Sequence, residues 1–425
     1  MKPSTLFRNA SVWDGTGAKA YTGDVLVAGD RITKVSKTRI TDDKAMVIDA
    51  TGMTLMPGMV EGHGHISFHE ATRNTDLGDI PPEEHVLITM HNAKTLLDHG
   101  FTSVYSAASA KLRLDLVIRN EINAGRIPGP RLKAASPEIT VTGGLGDEAR
   151  AHQNRSSFGL VVDGPDAITK TVRQVVREGV DNVKINLSGD DFVQPARGAM
   201  TVMTEAECRA AVDTAHAFGR KVSAHARAGD SVKMAVRCGV DVIYHCDSAD
   251  EEALDMLEEA KDRIFVGPAI GLIYSSLYEA APWGFTNEDA CRLGLDGCLE
   301  RSQKIYAEMR KRGIRVVVGG DYGFAWVPQG MNARDIEHFV NLFGYTPNEA
   351  LQCATRIGGE LMGMGHELGK IAKGYIADLL LVKGNPVANV ALLQDKNSFA
   401  VIMQNGRLYK NALPKNAVKH AAYAE

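Results

Sequence analysis

The sequence predicts an α/β chain organised as a (β/α)8, or TIM, barrel that carries a small β domain built from both termini. Three observations lead there. Short β-rich segments occupy both ends, and strands alternate with amphipathic helices between residues 58 and 361, the signature of βαβ units around a parallel sheet. The length of 425 residues suits one barrel with appendages, since barrels routinely exceed about 250 residues.

At the start of the chain, Asp24–Val27 and Arg31–Val35 flank Ala28-Gly29-Asp30, a hairpin-type turn. Val47–Gly52 continues the β pattern. Eight barrel strands are expected near residues 58–65, 101–107, 131–136, 180–187, 221–226, 240–245, 263–268 and 314–320. A helix is expected from Glu83 to His99, with Val86, Met90, Ala93 and Leu97 on one face and Gly100 as the stop. Thr204 with Glu207, and Thr346 with Glu349 behind Pro347, have capping-box spacing and mark two further helix starts. Short β segments such as Tyr375–Val382 return after residue 362. The expected domains are therefore 1–57 and 362–425, forming the terminal β domain, and 58–361, forming the barrel.

Composition narrows the function classes. Hydrophobic residues make up 44% and charged residues 24%, which is ordinary for a globular protein. The net charge of −4 offers no electrostatic case for nucleic acid or an anionic membrane. No apolar run reaches the 18 or so residues of a membrane span, and Arg8 and Asn9 interrupt any signal-peptide core. The six cysteines contain no CxxC pair, which fits a reducing cytoplasm.

Barrels gather their functional groups at the C-terminal ends of their strands. Those ends carry His63 and His65 on the first strand, Lys184 on the fourth, His225 on the fifth, His245 on the sixth and Asp321 on the eighth. Residues i and i+2 of a strand share a face, so His63 and His65 can chelate one ion. His225 and His245, from adjacent strands, can hold a second. Imidazole suits Zn²⁺, with Mn²⁺, Co²⁺ and Fe²⁺ as alternatives, and Asp321 can bind metal and accept a proton from water. A lysine buried beside metals should lose its proton, and the neutral amine of Lys184 can add CO₂ to form a carbamate that bridges two ions. Each member is a weak signal alone; six together at five strand ends are a strong one.

These residues carry a resemblance to the amidohydrolase superfamily over nearly the whole chain. Its motifs are Leu55–His65, the strand bearing Lys184, Ala224-His225-Ala226, Ile243-Tyr244-His245, Gly320-Asp321 and the closing Gly369–Leu379. The layout is most similar to the prolidase-like and imidazolonepropionase-like branch, which includes dipeptidases, ochratoxin-type amidases, and phenylurea and thiocarbamate hydrolases. The resemblance implies a distorted barrel with a composite β-sandwich. It also implies His63 and His65 on the more buried of two divalent ions, and His225 and His245 on the more exposed one. Lys184 takes the position of the carboxylated bridging lysine, and Asp321 that of ligand and general acid/base. Assembly into a homo-oligomer is common among relatives.

Three positions depart from the pattern. Glu61 stands where an aspartate is common, Leu145 replaces a histidine in Thr142-Gly143-Gly144-Leu145-Gly146-Asp147, and Tyr244 replaces a glutamate. The loss at 145 weakens a dipeptidase reading, unless Arg227 supplies the missing charge for a substrate carboxylate. Gly144, Leu145, Tyr244 and Tyr322 are further candidate substrate contacts. Aromatic residues Phe324 and Trp326, with Tyr274, Tyr278 and Trp283, could line a pocket tolerant of aromatic groups.

The expected function is hydrolysis of an amide-type C–N bond in a small molecule (an N-acyl amino acid, amide, carbamate or urea) by metal-activated hydroxide, with Asp321 as general acid/base. The alternatives are an Xaa-Pro-type dipeptidase or carboxypeptidase, a mononuclear deaminase, which Lys184 disfavours, and a metal-free scaffold, which the full ligand set disfavours.

Overall fold

The computed structural model describes residues 4–153 and 155–419. Strands β1 (Ser4–Val12), β2 (Tyr21–Ala28), β3 (Arg31–Ser36), β4 (Met46–Asp49) and β5 (Met53–Pro57) open the chain. β2 and β3 form the expected hairpin, turning at Gly29-Asp30. β1 runs antiparallel to β2, yet its other edge is shared, pairing with β4 at residues 5–8 and with β5 at residues 11–12. The register shifts between Phe7 and Ala10, where Asn9 has a φ of 56°. That bulge splays the sheet into two leaves.

The barrel strands follow: β6 (Met59–Gly64), β7 (Phe101–Ser106), β8 (Arg131–Lys133), β9 (Ala135–Thr140), β10 (Leu160–Val161), β11 (Asn182–Asn186), β12 (Lys221–Ala228), β13 (Val242–Ser248) and β14 (Phe265–Gly267). They lie in two parallel arcs, β6-β7-β8 and β10-β9-β11-β12-β13-β14. Two features make this barrel distorted. The expected strand at 131–136 breaks at Ala134, so β8 pairs with β7 while β9 pairs with β11. The expected eighth strand is not a regular strand. Segment 314–320 is extended and touches β14 through one bridge, Val266 with Val316. It then meets β6 where the Gly62 N–H donates to the Val318 carbonyl at 2.8 Å.

Strands β15 (Leu379–Lys383), β16 (Phe399–Gln404), β17 (Arg407–Asn411) and β18 (Val418–Lys419) return to the terminal sheet. β15 pairs with β5 and β18 with β4, giving a nine-stranded composite sheet. It packs around Phe7, Val25, Leu55, Leu379 and Val401.

The helices follow their signals. Capping boxes at Thr204 and Thr346 open the helices at Glu205–Ala217 and Pro347–Gln352. The helix expected at 83–99 runs Pro82–Asp98, but its buried face differs. Val86 and Met90 are half-buried, and His85, Thr89 and Asn92 are buried with Ala93 and Leu97. The polar members hold the loop after His65: Asn92 Nδ2 donates to the carbonyls of Ile66 (3.0 Å) and Phe68 (2.8 Å). His85 Nε2 hydrogen-bonds the Ser67 carbonyl at 2.6 Å.

Beneath the barrel, Arg131 pairs with the Asp378 carboxylate and reaches Asn405, tying β8 to the terminal sheet. Asp378 also accepts the Asn405 N–H at 2.7 Å, and its side chain is 2% exposed. Asp378→Ala leaves the guanidinium without its carboxylate and is expected to lower the unfolding free energy by about 3 kcal/mol, read as a shifted urea midpoint.

Candidate active site

The C-terminal ends of the strands converge on a small cavity of about 40 Å³, lined among others by His63, His65, Glu138, Leu145, Lys184, Asp190, His225, His245 and Asp321. All six side chains singled out as ligands face it. His65 Nε2 lies 3.1 Å from Asp321 Oδ1, and His63 Nε2 lies 4.0 Å from the same oxygen. Ligand atoms of these three fall within 4.8 Å of one another, close enough to hold one ion. The rings of His225 and His245 have centroids 4.1 Å apart, with His63 and His245 at 5.4 Å. Two of the six carry left-handed backbone, His245 at φ 77° and Asp321 at φ 63°. Such conformations persist where the surrounding structure over-determines them, commonly at functional sites.

Burial sets the protonation. It pushes His63 and His245 well below the ordinary histidine value and His225 down to about 3, so all three are neutral imidazoles. Burial also lowers Lys184, against the pull of Glu138 and Asp321. Desolvation opposes the Asp321 charge, but His63, His65 and Lys184 hold the carboxyl far below its usual range. Both ring nitrogens of His63 and Nδ1 of His245 are buried without a hydrogen-bond partner. Orphaned polar atoms are costly, and a divalent ion is what neutral nitrogens and an ionised carboxylate satisfy. The residues therefore fit the group.

Residues 54–409 match the Amidohydrolase family. The chain belongs to that family. It is accordingly a hydrolase of C–N bonds, and membership implies a divalent metal. An ochratoxinase of Aspergillus niger is 24% identical over 378 residues, covering 84% of this chain and 75% of that protein. A solved amidohydrolase is 27% identical with a TM-score of 0.86, covering 97% of this chain and all of the other. A prolidase in complex with N-methylphosphonate-L-proline is 26% identical with a TM-score of 0.87, covering 96% and 100%.

On this amidohydrolase frame the candidate substrate contacts separate. Leu145 lines the metal cavity, and Gly144 lines a wider vestibule of about 430 Å³ that shares Asn74, Leu272 and Phe324 with it. Tyr244 lies under the cavity instead. Its ring stacks on His63 at 3.8 Å and 14°, its hydroxyl donates to the Gly62 carbonyl at 2.8 Å, and Lys184 Nζ stands 5.0 Å over its face. Tyr322 is also buried, donating to Asp335 Oδ1 at 2.8 Å. Arg227 is 2% exposed; its Nε donates to Asp190 Oδ2 at 2.8 Å and its Nη1 to Asp247. Two carboxylates share the guanidinium through Nε and Nη1, Nη2 is buried without a partner, and Arg227 is not among the residues lining the metal cavity. Of the aromatic candidates, Phe324 and Trp326 line the vestibule, whereas Tyr278 and Trp283 are exposed.

Sequence reasoning missed several groups. Glu138 Oε1 lies 4.0 Å from Lys184 Nζ, and its Oε2 accepts from Asn186 Nδ2 at 2.7 Å. Asn186 is two residues past Lys184 on β11, so the period-2 rule could have found it. Asp190 Oδ2 is 3.7 Å from His225 Nε2. Burial works against its charge, and Arg227 and His225 hold it below the usual carboxylate value. Phe192 and Phe285 complete the vestibule wall. A larger cavity of about 800 Å³, between residues 122–131 and the 404–409 turn, sits at the opposite end of the barrel, away from the ligand set.

Arg227→Met strands Asp190 and Asp247 as buried, unpaired acids. The expected result is a loss of about 3–5 kcal/mol in urea denaturation. An unchanged midpoint with a raised KM would instead put the guanidinium on the substrate.

Proposed function

We propose that this enzyme hydrolyses the amide-type C–N bond of a small N-acyl or N-carbamoyl compound that carries a planar aromatic or bulky apolar group. The reaction half of this reading is carried by one observation: three neutral imidazoles, a depressed lysine and an ionised aspartate in one cavity. In it, His63, His65 and Asp321 would hold one divalent ion and His225 and His245 a second, Zn²⁺ suiting the imidazole-rich set. Lys184 would serve both ions as a carbamate, formed when its neutral Nζ adds to the carbon of CO₂ and gives up a proton.

Such ions supply Lewis acidity towards a carbonyl oxygen and an acidified water. The chain does the rest. Asp321 takes the proton of the attacking water on a carboxylate oxygen and returns it to the leaving nitrogen. Tyr244 fixes the plane of the His63 ring from below, and the Ala108 carbonyl, 3.2 Å from His65 Nδ1, sets the other imidazole so that its Nε2 faces Asp321.

A row of aromatic rings supports the substrate half. It starts at His65, stacked on Phe68 at 4.2 Å, and continues to Phe324 at 5.7 Å. Phe324 stacks with Trp326, Trp326 with Phe285, and Phe285 meets Phe192. This row favours a planar apolar group reaching from the reacting carbonyl into the vestibule, in line with the ochratoxinase likeness. Arg73, Arg150 and Arg155 line the same vestibule and could receive an acidic group there. The dipeptidase reading, suggested by the prolidase likeness, has less support. Leu145 offers no charge, Arg227 is engaged, and Lys184 is the lone Lys or Arg among the described residues lining the metal cavity.

Elemental analysis is expected to find about two metal equivalents in the protein purified without chelator, falling to one or none in Lys184→Ala, with activity on an amide panel lost in parallel. No metal after reconstitution with Zn²⁺ and bicarbonate would overturn the reading. Trp326→Ala is expected to raise KM for aryl amides about tenfold, or ~1.4 kcal/mol, with kcat little changed, while acetyl amides are indifferent to it.

A further inference from the structure

We propose that Gln329, Asn332 and Asp335 form a polar strap that sets the mutual geometry of His63, His65 and Asp321, and so tunes the affinity and coordination of the ion these three hold. The inference rests on the reading of that trio as metal ligands. None of the three strap residues lines the metal cavity; they are positioning residues.

The trio needs such a device because β-ladders do not supply it. His65 lies beyond the end of β6, and Asp321 lies outside every strand with left-handed backbone. The strap provides the missing links at intervals of three residues. Gln329 Nε2 donates to the carbonyls of His65 and of Tyr322, each at 3.0 Å, joining the two ligand-bearing segments through one amide. Asn332 Nδ2 donates to Glu61 Oε2 at 2.9 Å, while Glu61 Oε1 accepts the His63 N–H at 2.8 Å. The Gly330 N–H donates to Asn332 Oδ1 at 3.0 Å, which fixes the amide so that its donor end faces Glu61. Asp335 Oδ1 accepts from the Tyr322 hydroxyl, one residue past Asp321.

Packing leaves these links little play. Asn332 and Asp335 are buried, at 1% and 0% exposure. A Cβ on Gly320 would lie 2.6 Å from Asp335 Oδ1, and one on Gly323 would lie 2.5 Å from Phe68 Cβ and 3.2 Å from Gln329 Nε2. A shift of the strap therefore moves the ligand backbone directly. Partners of this kind, one bond removed from metal ligands, typically change metal affinity 10–100-fold when removed.

The test uses Gln329→Met and Asn332→Leu, which keep volume and remove the donors, and Asp335→Asn, which keeps an acceptor for Tyr322. Zn²⁺ affinity is measured by competition with a chromogenic chelator. The visible spectrum of the Co²⁺-loaded protein reports coordination geometry, and the urea midpoint of the metal-free protein reports the fold. The expected result is Zn²⁺ binding at least about tenfold weaker and an altered Co²⁺ spectrum in the first two variants, with Asp335→Asn close to wild type. Wild-type affinity and spectrum in Gln329→Met and Asn332→Leu would overturn the strap even if their metal-free midpoints fell, since that pattern marks a merely structural network. A wild-type protein that binds neither ion would overturn the metal reading itself, and the strap with it.

Discussion

Strand β6 and the extended segment 314–320 meet at one close crossing, where the Gly62 N–H reaches the Val318 carbonyl at 2.8 Å. Nothing larger than hydrogen fits there. A Cβ on Gly62 would lie 2.8 Å from Val317 Cγ2, and one on Gly319 would lie 2.4 Å from His63 Cβ. This contact closes the barrel without a regular eighth strand and brings Asp321 within 3.1 Å of His65. The ligand trio is thus a product of how the barrel shuts. Its alignment then depends on side chains reaching in from Gln329, Asn332 and Asp335, because backbone ladders end short of it.

The second organising force is desolvation. The cavity removes four imidazoles, an amine and a carboxylate from water; His63, His225, His245 and Lys184 shift in the direction burial dictates, and Asp321 is held ionised by its neighbours. Neutral histidines and a lysine pushed towards its neutral form are poor ion-pair partners and good ligands. Nearby, burial pushes Glu61 up to about 8 and Asp335 up to about 7, despite the hydrogen bonds each accepts. The shell around the ligands therefore adds less negative charge than its acids suggest. Arg227 solves a different problem. It neutralises Asp190, in the segment after β11, and Asp247, near the end of β13.

Reactive and recognition surfaces are separate parts of the same opening. The metal cavity is narrow and holds the candidate ligands, whereas the vestibule beyond Phe324 is broad and partly walled by aromatic rings. Loops supply that wall, including residues 72–75, 144–153 and 192–194. Strand ends and the segment that closes the barrel supply the candidate ligands. Such a division lets one metal chemistry serve different substrates through loop variation.

The fold class and the six ligand candidates were legible in the sequence because both are written in short-range patterns: βα alternation, the i, i+2 pair His63 and His65, and polar residues at strand ends. The capping boxes at Thr204 and Thr346 were legible for the same reason. What lay beyond reach involves residues far apart in the chain. Arg227 looked free because Asp190 and Asp247 are 37 and 20 residues away. Tyr244 and Tyr322 looked like substrate contacts because a strand pattern does not say whether a ring lies above or below a cavity. The split of the third strand at Ala134 and the single-bridge eighth segment arise from barrel closure, a global condition that no local window contains. By itself the sequence determined which chemical groups the barrel carries and at which strand ends. Tertiary structure alone decided which of them share one cavity, which are consumed by buried ion pairs, and which side chains hold the ligands in place, because burial and hydrogen-bond partnership are properties of the packed chain.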